Sequence, residues 1–311
     1  MIDWQGPQTC SGALGMLGRP ASPDVRALFL LWLGVVFMST SVLWLKLSDL
    51  SPSWLSSYRL LLASGLLVLC FRLPVIGLLR KADRRTWEGW LLGGGLLALH
   101  FVLWVLGARG TGTANATLLV NTSPVVMPLL SWLFLREKAS SQELWGTAIA
   151  VSGLLLLGLG DLRLSRETWR GDGYCLLSML CLAGYILAGR RFRARSGSVL
   201  EYVVPLYLTA GVLCGVVGFF QEGGVEVPRG WDWLWVALVT ILPTVLGHTL
   251  LNQALSQVSS QTASLFGVTQ FLYSGLLAIW LFGEFPALVF YPSALLVVLG
   301  VAVGISAKAK K

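Results

Sequence analysis

The chain has 311 residues, of which 55% are hydrophobic and only 12% are charged. Soluble domains carry about 25% charged residues, so this composition excludes a soluble globular protein, and the high apolar content excludes a disordered one. The net charge of +8 would point to nucleic acid on a soluble surface. Here the basic residues lie between long apolar runs, where they orient a chain in a lipid bilayer. We therefore expect a lipid bilayer as a partner and no nucleic acid.

Ten apolar runs follow one another along the chain. Crossing about 30 Å of hydrocarbon takes a helix of about 20 apolar residues, and continuous rather than alternating apolar runs exclude a membrane β-barrel. The predicted fold class is therefore an all-α integral membrane protein with ten transmembrane helices. They lie at 27–45, 53–71, 89–108, within 110–135, at 144–160, 173–189 and 202–221, in two parts of 233–283 divided at the polar stretch 256–262, and at 285–307.

The distribution of Lys and Arg predicts the orientation. Residues 1–25 are rich in Gly, Pro and Ser without periodicity and are predicted to be a flexible cytoplasmic tail, and the basic residues 308–311 form a second one. With the N-terminus inside, the inner side carries 16 Lys and Arg and the outer side six, of which three fall in the loop 161–170. Because positive charge accumulates on the cytoplasmic side, we expect a multi-pass protein of the plasma (inner) membrane with both termini cytoplasmic.

The two halves of the chain share a layout. Adding 147 to the residue numbers aligns Thr111–Gly160 with a later stretch and matches eight of 50 positions, among them Thr122 with Thr269 and Glu137 with Glu284. Each half then holds five spans, and an odd number forces the second half to enter the bilayer from the opposite side. Residues 26–161 and 172–307 are thus predicted to be two inverted five-helix repeats, as in secondary transporters whose substrate site lies where the halves meet.

Three stretches resemble the drug/metabolite transporter superfamily, in its ten-span form with two EamA-type repeats. The first joins spans one and two and contains Lys46, Ser51, Pro52 and Arg59; the second covers spans three and four and contains Pro124, Pro128 and Glu137; the third is the second copy, which ends at Glu284. One departure is Phe271, which stands where Pro124 stands in the first copy. The resemblance implies export of a metabolite or amino acid, by proton coupling or by exchange.

Polar residues inside predicted spans are the candidates for a substrate cavity, because such residues are costly in hydrocarbon. The only two histidines are 148 residues apart, at nearly equivalent places in the halves, and each shares a helix face with a residue four positions on. A buried histidine pair suits proton coupling or an anionic group; packing by hydrogen bonds between helices is the alternative. The full set of predicted substrate-binding residues is His100, Trp104, Asn115, Asn121, Tyr185, His248, Asn252, Gln270 and Tyr273.

Other residues have predicted structural roles. Arg59 lies in span two and is expected to extend its charged end toward the outer surface or to pair with a helix end. Glu137 is expected to form a capping or gating ion pair, for example with Arg136 or Lys138. Pro124 and Pro128 are expected to kink span four, because proline removes a backbone donor.

Catalytic machinery is not apparent in the sequence. All 15 Asp and Glu lie in tails, loops or span ends, and the chain contains neither a GxSxG motif nor a GxxxxGK[ST] phosphate loop. The five cysteines include no CxxC pair, so neither a metal nor a cofactor is expected. The favoured function is a secondary transporter, not an enzyme, that exports a small organic metabolite such as an amino acid or drug-like compound by alternating access. The alternatives are a membrane-embedded enzyme acting on a lipid or isoprenoid, and a structural or receptor-like bundle.

Overall fold

A computed structural model describes residues 24–111, 113–161, 168–193, 196–282 and 288–306. These residues form fifteen α-helices, one π-helix and no strand. The α-helices are α1 (Val25–Ser39), α2 (Ser41–Leu47), α3 (Pro52–Phe71), α4 (Val75–Lys81), α5 (Arg84–Gly110), α6 (Thr113–Val120), α7 (Ser123–Leu135), α8 (Ser141–Asp161), α9 (Trp169–Phe192), α10 (Val199–Glu222), α11 (Asp232–Val239), α12 (Thr249–Ala254), α13 (Ser260–Gly267), α14 (Gln270–Phe282) and α15 (Phe290–Ile305); the π-helix is Thr240–His248.

Short polar side chains set where several helices begin. Ser51 caps α3 by accepting from the Trp54 backbone N–H, and Asp83 caps α5 by accepting from the Thr86 N–H at 2.8 Å. Ser198 and Glu201 form a reciprocal capping box at the start of α10. Because the first four N–H groups of a helix lack partners within it, such residues stabilise a helix start inside an otherwise apolar chain.

Seven helical segments of the described chain are long and apolar enough to cross a membrane. They are Val25–Leu47, Pro52–Phe71, Arg84–Gly110, Ala116–Leu135, Trp169–Phe192, Val199–Glu222 and Asp232–Ala254. The sequence predicted ten; α8, the pair α13 and α14, and the 16-residue α15 occupy the other three predicted runs. Many large apolar side chains are exposed on the outside, including Leu69, Phe220 and Trp280, as expected for a surface in contact with lipid. The chain is therefore a multi-pass membrane protein.

Two of the predicted spans are broken helices with matching bounds. The first is α6 followed by α7, and the second is α13 followed by α14. Adding 147 to Val120 and Ser123, which border the first interruption, gives Gly267 and Gln270, which border the second. The offset that aligned the two halves of the sequence therefore also aligns the interruptions in their helices.

The two breaks share a feature other than proline. The hydroxyl of Thr122 donates to the Leu119 carbonyl at 2.7 Å, and that of Thr269 donates to the Phe266 carbonyl at 2.8 Å. A hydroxyl bound to a carbonyl three residues back competes with the helical ladder and favours a bend. Pro124 lies in the first turn of α7, where proline is tolerated. The expectation that Pro124 and Pro128 kink this span was therefore incomplete, since the second break forms with Phe271 in place of Pro124.

Helices from opposite halves pack antiparallel at close range. On α8 and α15, Gly146 lies against Gly300 and Gly304, whereas Gly153, about two turns further along α8, lies against Ser293. Small residues allow such close backbone approach in membranes. Helices α3 and α10 are antiparallel as well. Ser57 donates to the Gly211 carbonyl at 2.9 Å and Ser64 to the Val204 carbonyl at 3.0 Å, so the partner's number falls as the number along α3 rises.

Two further helix contacts form a matching pair between the halves. In one, α5 packs antiparallel against α9, with Gly107 against Cys175 and Gly184 against Leu96. In the other, α1 packs against the π-helix and α12, with Gly34 against the Gly247 carbonyl. Helices α1, α5, α6, α9, the π-helix and α14 thereby surround the middle of the bundle, where the candidate site lies.

Candidate functional site

A cavity of about 40 Å³ lies in the middle of the bundle. This volume is room for two or three water molecules. Side chains from both halves of the chain line it: Met38, Ser39, Ser41, Val42, His100, Phe101, Trp104, Thr117, Val120, Asn121, Leu182, His248, Gln270 and Ser274. These described lining residues include no Asp, Glu, Lys or Arg. Apart from the two histidines and Trp104, the polar ones carry hydroxyl or amide groups. The surface is thus suited to a polar solute.

Five of the nine residues predicted from the sequence line this cavity. They are His100, Trp104, Asn121, His248 and Gln270. The structure therefore brings together residues that are up to 170 positions apart in the chain, and their role in binding a substrate stays a prediction. The side chain of Asn115 lies outside the described residues.

The other three predicted residues lie away from the lining. Asn252 is fully buried and donates through Nδ2 to the Tyr185 hydroxyl and, at 2.7 Å, to the His248 carbonyl. The Tyr273 hydroxyl accepts from the indole N–H of Trp32 at 2.7 Å. Asn252 and Tyr185 thus form a layer behind His248, whereas Tyr273 joins α14 to α1.

His100 is held by a reciprocal pair of bonds to α9. Its Nδ1 lies 3.0 Å from the Ser178 carbonyl, and the Ser178 hydroxyl donates to the His100 carbonyl at 3.0 Å. The Ser178 hydroxyl oxygen also lies 2.8 Å from Nδ1, but its one hydrogen is donated to the His100 carbonyl. Since a carbonyl can only accept, we assign the hydrogen on the ring to Nδ1, which leaves Nε2 as an acceptor. His100 can therefore offer a fixed hydrogen-bond acceptor to a solute in the cavity.

His248 is held by aromatic contacts instead. Its ring lies edge-on to Phe101 at 5.0 Å between centroids and to Tyr185 at 5.8 Å. Its Nδ1 is buried without a hydrogen-bond partner among the described residues. Buried polar atoms almost always find partners, so this nitrogen is an unmet hydrogen-bonding group next to the cavity.

Arg59 occupies the layer behind Phe101. Its side chain is 1% exposed, its guanidinium carbon lies 3.8 Å from the centre of the Phe101 ring, and its Nε donates to the Thr244 hydroxyl at 3.0 Å. The expectation that Arg59 extends to the outer surface or pairs with a helix end was therefore wrong. Neighbouring helices cover α3 at this position, so the charge stays within the bundle and rests on an aromatic face.

The π-helix places the Thr244 hydroxyl against Arg59. That hydroxyl donates to the Val239 carbonyl, five residues back, at 2.7 Å, and it accepts from Arg59. Pro243 lies inside the same segment, where its missing N–H removes a bond from the regular ladder. Short π-helical segments inside α-helices are frequent at functional sites, and this nine-residue segment places Thr244 and His248 on the same span, so it connects the buried cation to the cavity lining.

Sequence reasoning missed several lining residues, most clearly Ser39 and Ser41. They flank Thr40, where α1 gives way to α2, and the Ser39 and Thr40 hydroxyls donate to carbonyls three residues back at 2.6 and 2.8 Å. The available signal was the run of three hydroxyl residues at 39–41 inside an apolar span. Phe101 and Thr117 gave no such signal, because an aromatic or a single threonine in a span is ordinary packing.

An ion pair and a hydrogen-bonded carboxylate lie toward the predicted cytoplasmic side. Glu137 accepts from Arg190 at 2.9 Å, which corrects the expectation of Arg136 or Lys138 as its partner. Arg190 lies 53 residues further along the chain, near the end of α9, so the pair forms only through the packing of separate helices. Glu143 accepts from the hydroxyls of Ser259 and Thr262 and from Ser140. These contacts join α7, α8, α9 and α13.

Arg193 adds a further contact on this side, just beyond the end of α9. It is 5% exposed and donates to the Gln253 side chain at 3.1 Å and to the Ser196 carbonyl at 3.2 Å. Burial lowers the pKa of Arg193 from its ordinary value, and the nearby Glu201 carboxylate acts in the opposite direction. Charged groups therefore stay paired or bound to oxygen atoms where the helices end.

Comparison with known proteins gives consistent results. An uncharacterized transporter of Bacillus subtilis, YdfC, is 28% identical over 249 residues, covering 78% of this chain and 78% of the relative. Another from that organism, YyaM, is 25% identical over 229 residues, covering 70% and 72%. An uncharacterized transporter of Archaeoglobus fulgidus is 24% identical and covers 83% of this chain and 89% of the relative.

One chain of known crystal structure has the same fold. It superposes with a TM-score of 0.72 at 19% identity, over 91% of this chain and 98% of the other. The sequence model of the EamA-like transporter family matches residues 25–159 and again residues 169–305. Those two matches cover most of the sequence. This membrane protein therefore belongs to the EamA-like transporter family.

Proposed function

We propose that the protein is a ten-span secondary transporter that moves a small organic solute through the central cavity by alternating access. The observation that carries this proposal is the cavity itself, which lies inside an apolar bundle and is lined by polar residues of both family repeats, such as His100 and His248. Transporters with repeats bind their substrates near the bilayer midplane where the repeats meet.

The packing of the helices supports two repeats of opposite topology. With the repeats taken as residues 26–161 and 172–307, α3 and α10 are equivalent, as are α8 and α15, and each pair packs antiparallel. Equivalent helices run in opposite directions when one repeat is inverted relative to the other. The matching breaks at Thr122 and Thr269 support the same duplication.

The size of the cavity supports a mechanism with moving parts. The cavity of about 40 Å³ is small beside the roughly 300–1,000 Å³ of ordinary small-molecule sites, so passage of a solute of that size requires the surrounding helices to separate. The breaks between α6 and α7 and between α13 and α14 are suitable hinges, because hinges are element-terminal positions that absorb backbone rotation. The ion pair between Glu137 and Arg190 would open and close with access from the cytoplasmic side.

Orientation and direction are part of the same proposal. The excess of Lys and Arg on one side supports cytoplasmic termini and insertion in the plasma membrane, which labelling of single cysteines placed in each loop of intact cells would test. Export, rather than uptake, follows from the family resemblance, and proton coupling is one way of driving it. The family assignment favours transport over an enzyme acting on a lipid or isoprenoid.

The test is flux into proteoliposomes containing the purified chain, with a panel of amino acids, organic acids, nucleosides, sugars and cationic drugs. A matched pair of variants on α14 makes it specific. Ser274→Trp fills the cavity and should abolish the flux of any transported solute, whereas Leu276→Trp, at a side chain that is 57% exposed on the outside, should leave it intact. The absence of protein-dependent flux for every class would refute the proposal.

A further inference from the structure

The only charge buried at the centre of the described bundle is the guanidinium of Arg59. Its side chain is 1% exposed, and no carboxylate of the described residues lies within 4.0 Å of it. The sequence accounts for this lack of a carboxylate partner, since all 15 Asp and Glu residues lie in tails, loops or span ends. An unpaired charge in a bilayer-embedded bundle costs several kcal/mol, so an arginine at this place calls for a counter-charge from outside the chain.

Arg59 is also incompletely hydrogen-bonded. Its Nε donates to the Thr244 hydroxyl, but its Nη2 is buried with no hydrogen-bond partner. A guanidinium offers five N–H donors in a planar fork that matches the two oxygens of a carboxylate or phosphate. The side chain is thus poised to donate to an oxyanion that the described residues do not supply.

A single aromatic ring separates this cation from the cavity. Phe101 lines the cavity and lies 3.8 Å from the guanidinium carbon. Through one ring in a medium of low dielectric constant, the positive charge acts on any ion in the cavity. None of the described lining residues is an acid that could offset it, and the lining supplies donors from Ser, Thr, Asn, Gln and Trp side chains.

From these contacts we infer that the cavity is an anion site and that the transported solute is a small organic anion whose oxyanion is bound by Arg59 when the Phe101 ring rotates aside. The inference rests on the proposed function and narrows its substrate class. Small cationic compounds are disfavoured by the same charge, and neutral solutes gain nothing from it.

The test measures the field in the cavity without requiring transport. Ser41 lines the cavity and its hydroxyl lacks a hydrogen-bond partner among the described residues, so Ser41→Cys places a thiol there with little change in shape. The purified full chain is labelled with two methanethiosulfonates, one carrying a sulfonate and one carrying a trimethylammonium group. Ser306→Cys, at an exposed position after α15, provides the ratio of the two rates for an open thiol, and the chain without an added cysteine provides the background.

We expect the sulfonate reagent to be favoured at Ser41→Cys on the order of tenfold relative to Ser306→Cys, because the Arg59 charge acts on ions in the cavity through a dielectric constant well below that of water. Arg59→Lys should keep this preference and Arg59→Gln should remove it. Equal relative rates in the chain with native Arg59, a preference for the cation, or a preference that survives Arg59→Gln would overturn the inference. So would the absence of reaction with either reagent, since a cavity that admits no ion cannot be an anion site.

Ligand binding then identifies the oxyanion. Thermal unfolding is followed with short-chain carboxylates, with phosphate monoesters and with the amides of the same carboxylates, because a ligand that binds only the folded state raises its stability. Stabilisation by one anionic class, lost in Arg59→Gln, names the group, whereas equal stabilisation by carboxylates and their amides would contradict the inference. These results can be told apart from a failure of the proposed transport function. In that case the cavity would still select anions, but proteoliposomes would show no flux of any solute.

Discussion

Gly146 of α8 and Gly300 of α15 lie backbone against backbone. A Cβ atom added at Gly300 would stand 2.6 Å from the Gly146 carbonyl oxygen and 2.5 Å from the Ala150 nitrogen. Because the obstructing atoms belong to the main chain, no side-chain rotation relieves the clash. This contact joins the two family repeats, so its closeness fixes how the halves meet.

We predict that Gly300→Ala lowers the stability of the protein by about 1–3 kcal/mol, the usual effect of overpacking. The measurement is the thermal unfolding midpoint of the detergent-solubilised chain. Gly95→Ala is the matched control, because a Cβ there meets nothing within 4 Å and alanine favours the helix over glycine. Equal midpoints for the two variants would mean that α8 and α15 are not held this closely.

The ion pair between Arg190 and Glu137 is predicted to be energetically coupled. The side chains are 11% and 20% exposed, so removing one partner leaves the other desolvated at a cost of about 1–3 kcal/mol. A double-mutant cycle of Arg190→Met and Glu137→Gln should give a coupling of at least about 0.5 kcal/mol. The same cycle at Arg84 and Glu88, whose side chains are 92% and 49% exposed, should give almost none.

Arg59→Met is predicted to leave thermal stability unchanged or to raise it. Replacing a buried charge that lacks an ionic partner with an apolar side chain of similar length removes a desolvation cost. Arg190→Met, measured in parallel, should lower the midpoint of thermal unfolding, because it leaves the Glu137 carboxylate without its ionic partner. If Arg59→Met destabilised the chain as strongly as Arg190→Met, the arginine would be a structural element rather than one retained for binding.

Two predicted site residues on α14 should behave differently. Gln270 lines the cavity, so Gln270→Ala is expected to raise the KM for a transported solute several-fold through loss of about one hydrogen bond. Tyr273→Phe loses only the bond from the Trp32 indole, so we expect an unchanged KM. Initial flux rates in proteoliposomes at several solute concentrations would decide, and a larger effect at Tyr273 would place that residue at the site instead.

The sequence alone determined the class of protein and much of its layout. The apolar runs and the offset of 147 residues between the halves can be recognised without knowing which residues are in contact, because hydrophobicity and spacing are properties of the chain itself. That is why the offset that aligns Thr122 with Thr269 in the sequence also aligns the interruption between α6 and α7 with that between α13 and α14.

The tertiary structure alone decided which polar residues share the cavity. A residue four positions from a histidine lies on the same helix face, but whether that face meets the cavity or a neighbouring helix depends on rotation and depth, which packing between helices sets. Thus Trp104 lines the cavity beside His100, whereas Asn252 turns to Tyr185 behind His248. Arg59 could not be placed from the sequence either, because its burial against Phe101 arises only when α3 and α5 pack together with the π-helix.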